Sequence, residues 1–244
     1  MRNILTLIIL LLITKTAFAD TVHLTSLSWP PYSDKNIKEQ GASVAVAKAA
    51  FKAMGHELIV DFYPWSRAVK LVNTKSSKYV GYFPEYYYET NDFNFSDPMG
   101  NGPLALIQNK SKPINFNDLS DLKGLKLGVV QDYINTPELD KMIADKEVNA
   151  KAALSDSVNI KKVASKRLDM AVIDVNVFNF LLSSDKSLKK FENKVELNKN
   201  LLANKKLYIA FRGDEVGKKW QKIYNSGLKK LDVDVIMTKY LTSK

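Results

Sequence analysis

Hydrophobic and polar positions alternate along the chain in two different rhythms. From 42 to 54 the apolar residues Val44, Ala47, Phe51 and Met54 recur at helical spacing and stop at Gly55, which predicts an amphipathic helix. The short apolar runs on either side, 22–27 and 58–63, are strand-like. A helix over 67–75, with Ser66 as its N-cap, and a strand over 79–83 complete a βαβαβ unit with short connections. The polar stretch "NFNDLSDLKG" then marks a boundary. After it the rhythm restarts, with strands over 125–130, 150–154 and 170–174 and helices over 137–146, opened by Thr136, and 158–166. Two extended segments, 103–108 and 206–212, and two terminal helices, 215–231 and 235–241, remain. The expected class is α/β, with two extended crossings if the last segment returns to the first unit.

The opening residues change this picture only at the edge. Met1-Arg2-Asn3 gives a positive start, Ile4 to Ile13 is almost wholly apolar, and Ala17-Phe18-Ala19 has the small-x-small form of a cleavage site. This predicts a secretory signal over 1–19, a mature start near Asp20 and location in the periplasm. The apolar run is about ten residues, short of the roughly 20 a spanning helix needs. The chain has no cysteine, so disulfides, thiol chemistry and a lipid-modified cysteine are excluded. About 225 mature residues must then be stabilised by an apolar core. His23 and His56 are far apart with no ligand-like spacing, and neither a metal nor another cofactor is expected. The formal charge of +10 comes mainly from scattered lysines, the pattern of a solvated surface, and no nucleic-acid partner is expected.

Five motifs in order carry a resemblance: "SWPPY" after the first strand, "YPWSRAVKLV", "FNFSDPM", "LSDLKGLKLGVVQDY" and "KRLDMAVID". In sequence and spacing the chain resembles the periplasmic solute-binding proteins of the polar amino-acid type, family 3. The resemblance implies a type II fold, in which two α/β lobes joined by two extended hinge strands close over a small polar ligand. The closed form is then read by a membrane ABC permease, and the binding protein acts as a monomer. On this mapping lobe one is 20–106 plus 207–244, and lobe two is 107–206.

The same resemblance supplies candidate residues. Trp29 and Trp65 match two aromatics that sandwich the ligand, with core packing as the alternative, and Tyr32 lies close by. Tyr82 and Phe83, at a strand's carboxyl end, are further candidates. The arginine that grips the ligand carboxylate in similar proteins is replaced here by Glu89, and the serines before it by Gly81, Tyr82 and Pro84. The Gly-Ser-Thr-like turn of the second lobe is replaced by "QDYIN", which brings in Asp132 and Tyr133. Asp174 matches the acidic residue that binds the ligand ammonium, and it is equally suited to cap the helix of "VNVFNFLL". With the usual anion site altered, Arg67 beside Ser66 is the substitute holder of a ligand anion, or a surface cation paired with Asp61, Glu85 or Glu89. Two rival functions remain open. One is an exported dehydratase on the same fold, with Glu89, Asp132 or Asp174 as acid or base. The other is a sensor subunit that serves a membrane receptor.

Overall fold

Parallel strands buried on both faces require near-continuous apolar runs, and helices must cover them. In the computed structural model, which describes residues 19–74 and 76–242, these runs become a single mixed sheet. The expected signal segment, except Ala19, lies outside the described residues, as does Lys75 at the end of the expected second helix.

The first unit is β1 (Thr21–Ser26), α1 (Ala42–Ala53), β2 (Glu57–Phe62), α2 (Trp65–Val72), β3 (Gly81–Tyr86) and the short β4 (Phe93–Phe95). The long strand β5 (Gly100–Asn109) leads to the second unit: β6 (Lys126–Val130), α3 (Pro137–Ala144), β7 (Asn149–Ala153), α4 (Asp156–Ala164), β8 (Met170–Asp174) and α5 (Val175–Ser184). The chain returns along β9 (Val195–Arg212) and ends in α6 (Glu215–Leu228) and α7 (Val233–Leu241). The strand order is β2-β1-β3-β9-β5-β8-β6-β7, with β4 also on β9. Strands β1, β2 and β3 are parallel to one another at one end, and β6, β7 and β8 at the other.

Antiparallel β5 and β9 are the two crossings. They pair from Gly100 with Leu207 to Asn109 with Val195, with register shifts around Ala105. Beyond that pairing β9 continues into the first half of the sheet, where it pairs with β3 and β4. At 18 residues, β9 is far longer than the expected 206–212, because its first part is too polar to read as a strand. Pairing supplied by β5 overrides that weak local preference.

Helices α6 and α7 return to pack on α1. The approach of α6 is so close that a Cβ on Gly227 would lie 2.1 Å from the Ala50 carbonyl oxygen. Covered by the sheet on one side and these helices on the other, α1 buries Val44, Ala47 and Phe51 as expected, and also Ala45 and Val46. Met54, expected on the same stripe, is the C-cap and only half-buried. The N-cap of α2 is Pro64 rather than Ser66. Pro64 O accepts from both Arg67 N and Ala68 N, which starts the helix one residue before Ser66. The Ser66 hydroxyl is thereby free to point outward.

Candidate functional site

Loops at the carboxyl ends of strands from both halves of the sheet converge on a cleft. Trp29 follows β1, Trp65 opens α2, and Glu85 and Tyr86 end β3. Facing them, Tyr133 follows β6, Asp156 opens α4 and Asp174 ends β8. Two inner cavities of about 20 Å³ each share Trp29, Tyr86, Tyr133 and Ile134 as walls. One extends to Trp65 and Glu85, the other to Asp156 and Asp174. Trp29, Trp65, Tyr133 and Asp156 also line the wider outer cleft, about 840 Å³, whose mouth includes Asp34, Lys35 and Asp185. The rings brace one another. Trp29 stacks on Tyr32 with centroids 4.6 Å apart and meets Tyr86 edge-on at 6.1 Å. Trp65 meets Tyr82 edge-on at 5.3 Å and Tyr133 at 6.1 Å.

Three buried carboxyl groups dominate the electrostatics. Asp174, 1 % exposed, caps α5: Oδ1 accepts from Asn176 N at 2.8 Å and Val177 N at 3.1 Å. Burial nevertheless outweighs these bonds and pushes its pKa up to about 7. Asp156, 6 % exposed, is likewise pushed up to about 7 by burial. The Trp29 indole is turned toward it and favours its charge, although Trp29 Nε1 makes no hydrogen bond of full geometry. Glu85, also 6 % exposed, is pushed up to about 8 by burial, against the pull of the Tyr86 backbone N–H at 2.8 Å and the charge of Lys205. The Tyr86 hydroxyl lies in the field of all three carboxyl groups and is buried without a hydrogen-bond partner.

Hydrogen bonds join the two halves across the cleft. Trp65 Nε1 donates to the Asp132 carbonyl at 3.1 Å, and Ser66 Oγ donates to the Asp132 carboxylate. Asp132 reaches this position in the left-handed region, at φ +62°, where aspartate is among the better tolerated residues. Deeper in, Tyr32 Oη accepts from Asn176 Nδ2 at 2.7 Å and donates toward Asp174 Oδ2, 3.2 Å away. Gly102 is required beside this pair, since a Cβ there would sit 2.7 Å from Asp174 Oδ2.

Of the residues expected from sequence, Trp29, Trp65, Tyr133 and Asp174 line the inner cavities. Tyr32 sits beneath Trp29 and reaches the site through Asp174. Asp174 is a helix cap, and its second oxygen faces Tyr32. Tyr82 and Phe83 are fully buried and line none of these cavities: β3 shifts register between Tyr82 and Glu85, Glu85 and Tyr86 border the cavities, and Tyr82 Oη pairs with Tyr88 Oη at 2.8 Å. Arg67 is exposed, with its guanidinium 5.1 Å from the centroid of the Tyr63 ring, and is not among the residues lining the cleft. The anion at the start of α2 is the chain's own Asp132, because the left-handed turn swings that carboxylate onto Ser66. Of the partners considered for Arg67, Asp61 is bonded to Lys78 at 3.0 Å and to Tyr79 at 2.9 Å. Glu89 is exposed between β3 and β4. Asp156, Glu85, Tyr86 and Asn176 are not among the ligand contacts expected from sequence, Glu85 being named there only as a partner for Arg67. The expected helix over 158–166 leaves Asp156 outside it, although Ser155 immediately before Asp156 is a good capping residue and α4 starts there.

Among the described residues no group of three or more metal-ligating side chains comes together, and no helix is long and apolar enough to cross a membrane. No protein-family model and no curated protein matches the sequence. Solved structures do. A histidine kinase sensor domain with similarity to periplasmic binding proteins superposes with a TM-score of 0.77 at 19% identity, over 91% of this chain and 96% of that one. The chain has the periplasmic-binding-protein fold. An ancestral arginine-binding protein bound to arginine is similar at a TM-score of 0.72 and 22% identity, over 90% of this chain and 96% of that one. A structure concerning glutathione import in Gram-positive bacteria via GshT and the cystine ABC importer TcyBC of Streptococcus mutans is similar at 0.74 and 22%, over 91% and 95%. On this fold the cleft between the lobes is concave, aromatic-walled and polar at its floor, the usual make-up of a small-molecule site.

Proposed function

We propose that the chain is an exported solute-binding protein of the polar amino-acid type, which captures a small polar ligand between its lobes and hands the closed form to a membrane ABC permease. The carrying observation is the inner cleft, where flat rings and ionisable groups from both lobes face one another and Trp65 and Ser66 bond to Asp132 across the gap. Solved structures of the same fold support the reading, since their names include arginine-binding proteins and an amino-acid ABC transporter substrate-binding protein. The reading places the protein in the periplasm as a monomer, divides it into lobes at 20–106 plus 207–244 and 107–206, and includes no chemical step. Trp29, Trp65, Tyr133 and Asp174 would contact the ligand, with Asp132 latching the lobes.

The cysteine-free sequence allows a clean test. Cysteines introduced at Lys52 in α1 and Lys166 after α4, both exposed, would carry a label pair across the cleft. A panel of small solutes should contain at least one that shifts the inter-label distance towards a single short value at 1:1 stoichiometry. A distribution that no solute alters would refute the proposal.

A further inference from the structure

We propose that the cleft selects a small primary amine without a carboxylate and discriminates against the corresponding α-amino acid. This inference rests on the solute-binding reading above and concerns the chemistry of that same site.

The first observation is an unbalanced charge. Glu85, Asp156 and Asp174 line two adjoining cavities, and none of the three makes a salt bridge among the described residues. Lys205 is the cation that Glu85 feels, but its ammonium lies 5.1 Å from the Tyr86 ring centroid and is shared with Asp140 and Glu138. No basic residue acts on Asp156 or Asp174. Buried carboxyl groups without cations remain protonated or await a positive charge from outside.

The second observation is independent of the charges. Tyr86 borders both cavities, and its Oη, in a side chain more than nine-tenths buried, has no hydrogen-bond partner among the described residues. A phenol oxygen beside carboxylates, with the Trp29 ring alongside, is suited to accept from an ammonium group and to stabilise it by cation–π attraction, the Tyr86 ring itself already carrying the Lys205 ammonium. Each cavity holds about 20 Å³, room for roughly one water-sized group, and a primary ammonium head has that size. The rest of the solute would extend into the outer cleft.

The third observation concerns anions. A ligand carboxylate is commonly held at a helix N-terminus, but the three helix starts of the second half of the sheet already carry acceptors from the chain. Thr136 Oγ1 accepts from Leu139 N in α3, Ser155 Oγ from Val158 N in α4, and Asp174 from two N–H groups in α5. Across the cleft, Asp132 occupies the start of α2. Arg67 stands outside the cleft against Tyr63. A carboxylate brought in by the solute would face three acidic groups in inner cavities whose walls include no cation among the described residues, with only the neutral Trp29 indole N–H and Tyr86 hydroxyl unpartnered there.

Decarboxylation pairs test the inference: cadaverine against L-lysine, and putrescine against L-ornithine, titrated calorimetrically into ligand-free mature protein at pH 8. The amine of at least one pair should bind at least tenfold more tightly than its amino acid, and Asp156→Asn should weaken it at least tenfold. Equal or tighter binding of the amino acid would overturn the inference. Binding of neutral or acidic solutes in place of any amine would overturn it while leaving the solute-binding reading intact. Silence across amines, amino acids, neutral solutes and acids would overturn both.

Discussion

Replacing Asp174 with asparagine separates the cost of burying this carboxyl group from its role as a cap. An asparagine side chain caps a helix as well as aspartate does, so the bonds to Asn176 N and Val177 N are retained while the ionisable group is removed. In the wild-type protein burial raises the Asp174 pKa from 3.8 to about 7. Between those values the native state binds more protons than the unfolded state, so stability falls as pH rises and levels off above about 7. At a little over 1 kcal/mol per pH unit the full span is roughly 4 kcal/mol, and water entering a fluctuating cleft reduces it. We therefore expect ligand-free wild-type protein to lose at least about 1–3 kcal/mol from this group between pH 5 and pH 8, and Asp174→Asn to lose correspondingly less. Asp61, Asp169, Asp185 and Asp214 have lowered pKa values. Their contribution is lost only as pH falls through the acid range, below this window. Urea titrations at pH 5, 6, 7 and 8 give the comparison. Wild-type stability that rises across this range, or a variant with an unchanged pH profile, would refute the reasoning.

Three further outcomes follow from the cleft. Trp65→Ala removes the bond to Asp132 and two ring contacts; a loss of roughly 3–5 kcal/mol is typical of such truncations, and any ligand-induced fluorescence change should fall to what Trp29 alone reports, whereas a full wild-type fluorescence response would exclude Trp65 from the site. Ser66→Ala should cost under about 1 kcal/mol, because the residue is exposed, yet enlarge the radius of gyration in small-angle scattering as the bond to Asp132 is lost; an unchanged radius would deny that bond a part in closure. Incubation with a cyclohexadienyl acid should leave the acid intact, and conversion at an enzymatic rate would favour the dehydratase alternative.

The sequence made the alternation of elements legible because most strands here are apolar enough to read unaided. Strand β8 was expected at its observed bounds, since all five of its residues are buried. The long β9 was not, because its first half is a polar strand held by pairing with β5. The site shows the same division. Trp29, Trp65, Tyr133 and Asp174 could be placed by motif and by their position at strand ends. Glu85 and Asp156 could not, because each depended on a boundary shifted by a few residues: β3 runs on to Tyr86, and α4 starts at Asp156. Arg67 lies outside the cleft walls, against Tyr63. Its place in the first turn of α2 does favour an anion nearby, but Asp132 from the same chain stands at that helix start.

A thermal-shift screen of the mature protein with amines, amino acids, small carboxylates and aromatic acids tests solute capture in the cleft most directly. At 100 times its Kd a bound solute adds about 2.7 kcal/mol, which for a chain of this size raises Tm by roughly 5–10 °C. We expect a rise of that order with at least one primary amine, and its loss in a Trp29→Ala variant that still melts cooperatively. No shift with any compound, or a shift that survives in that variant, would contradict capture in this cleft.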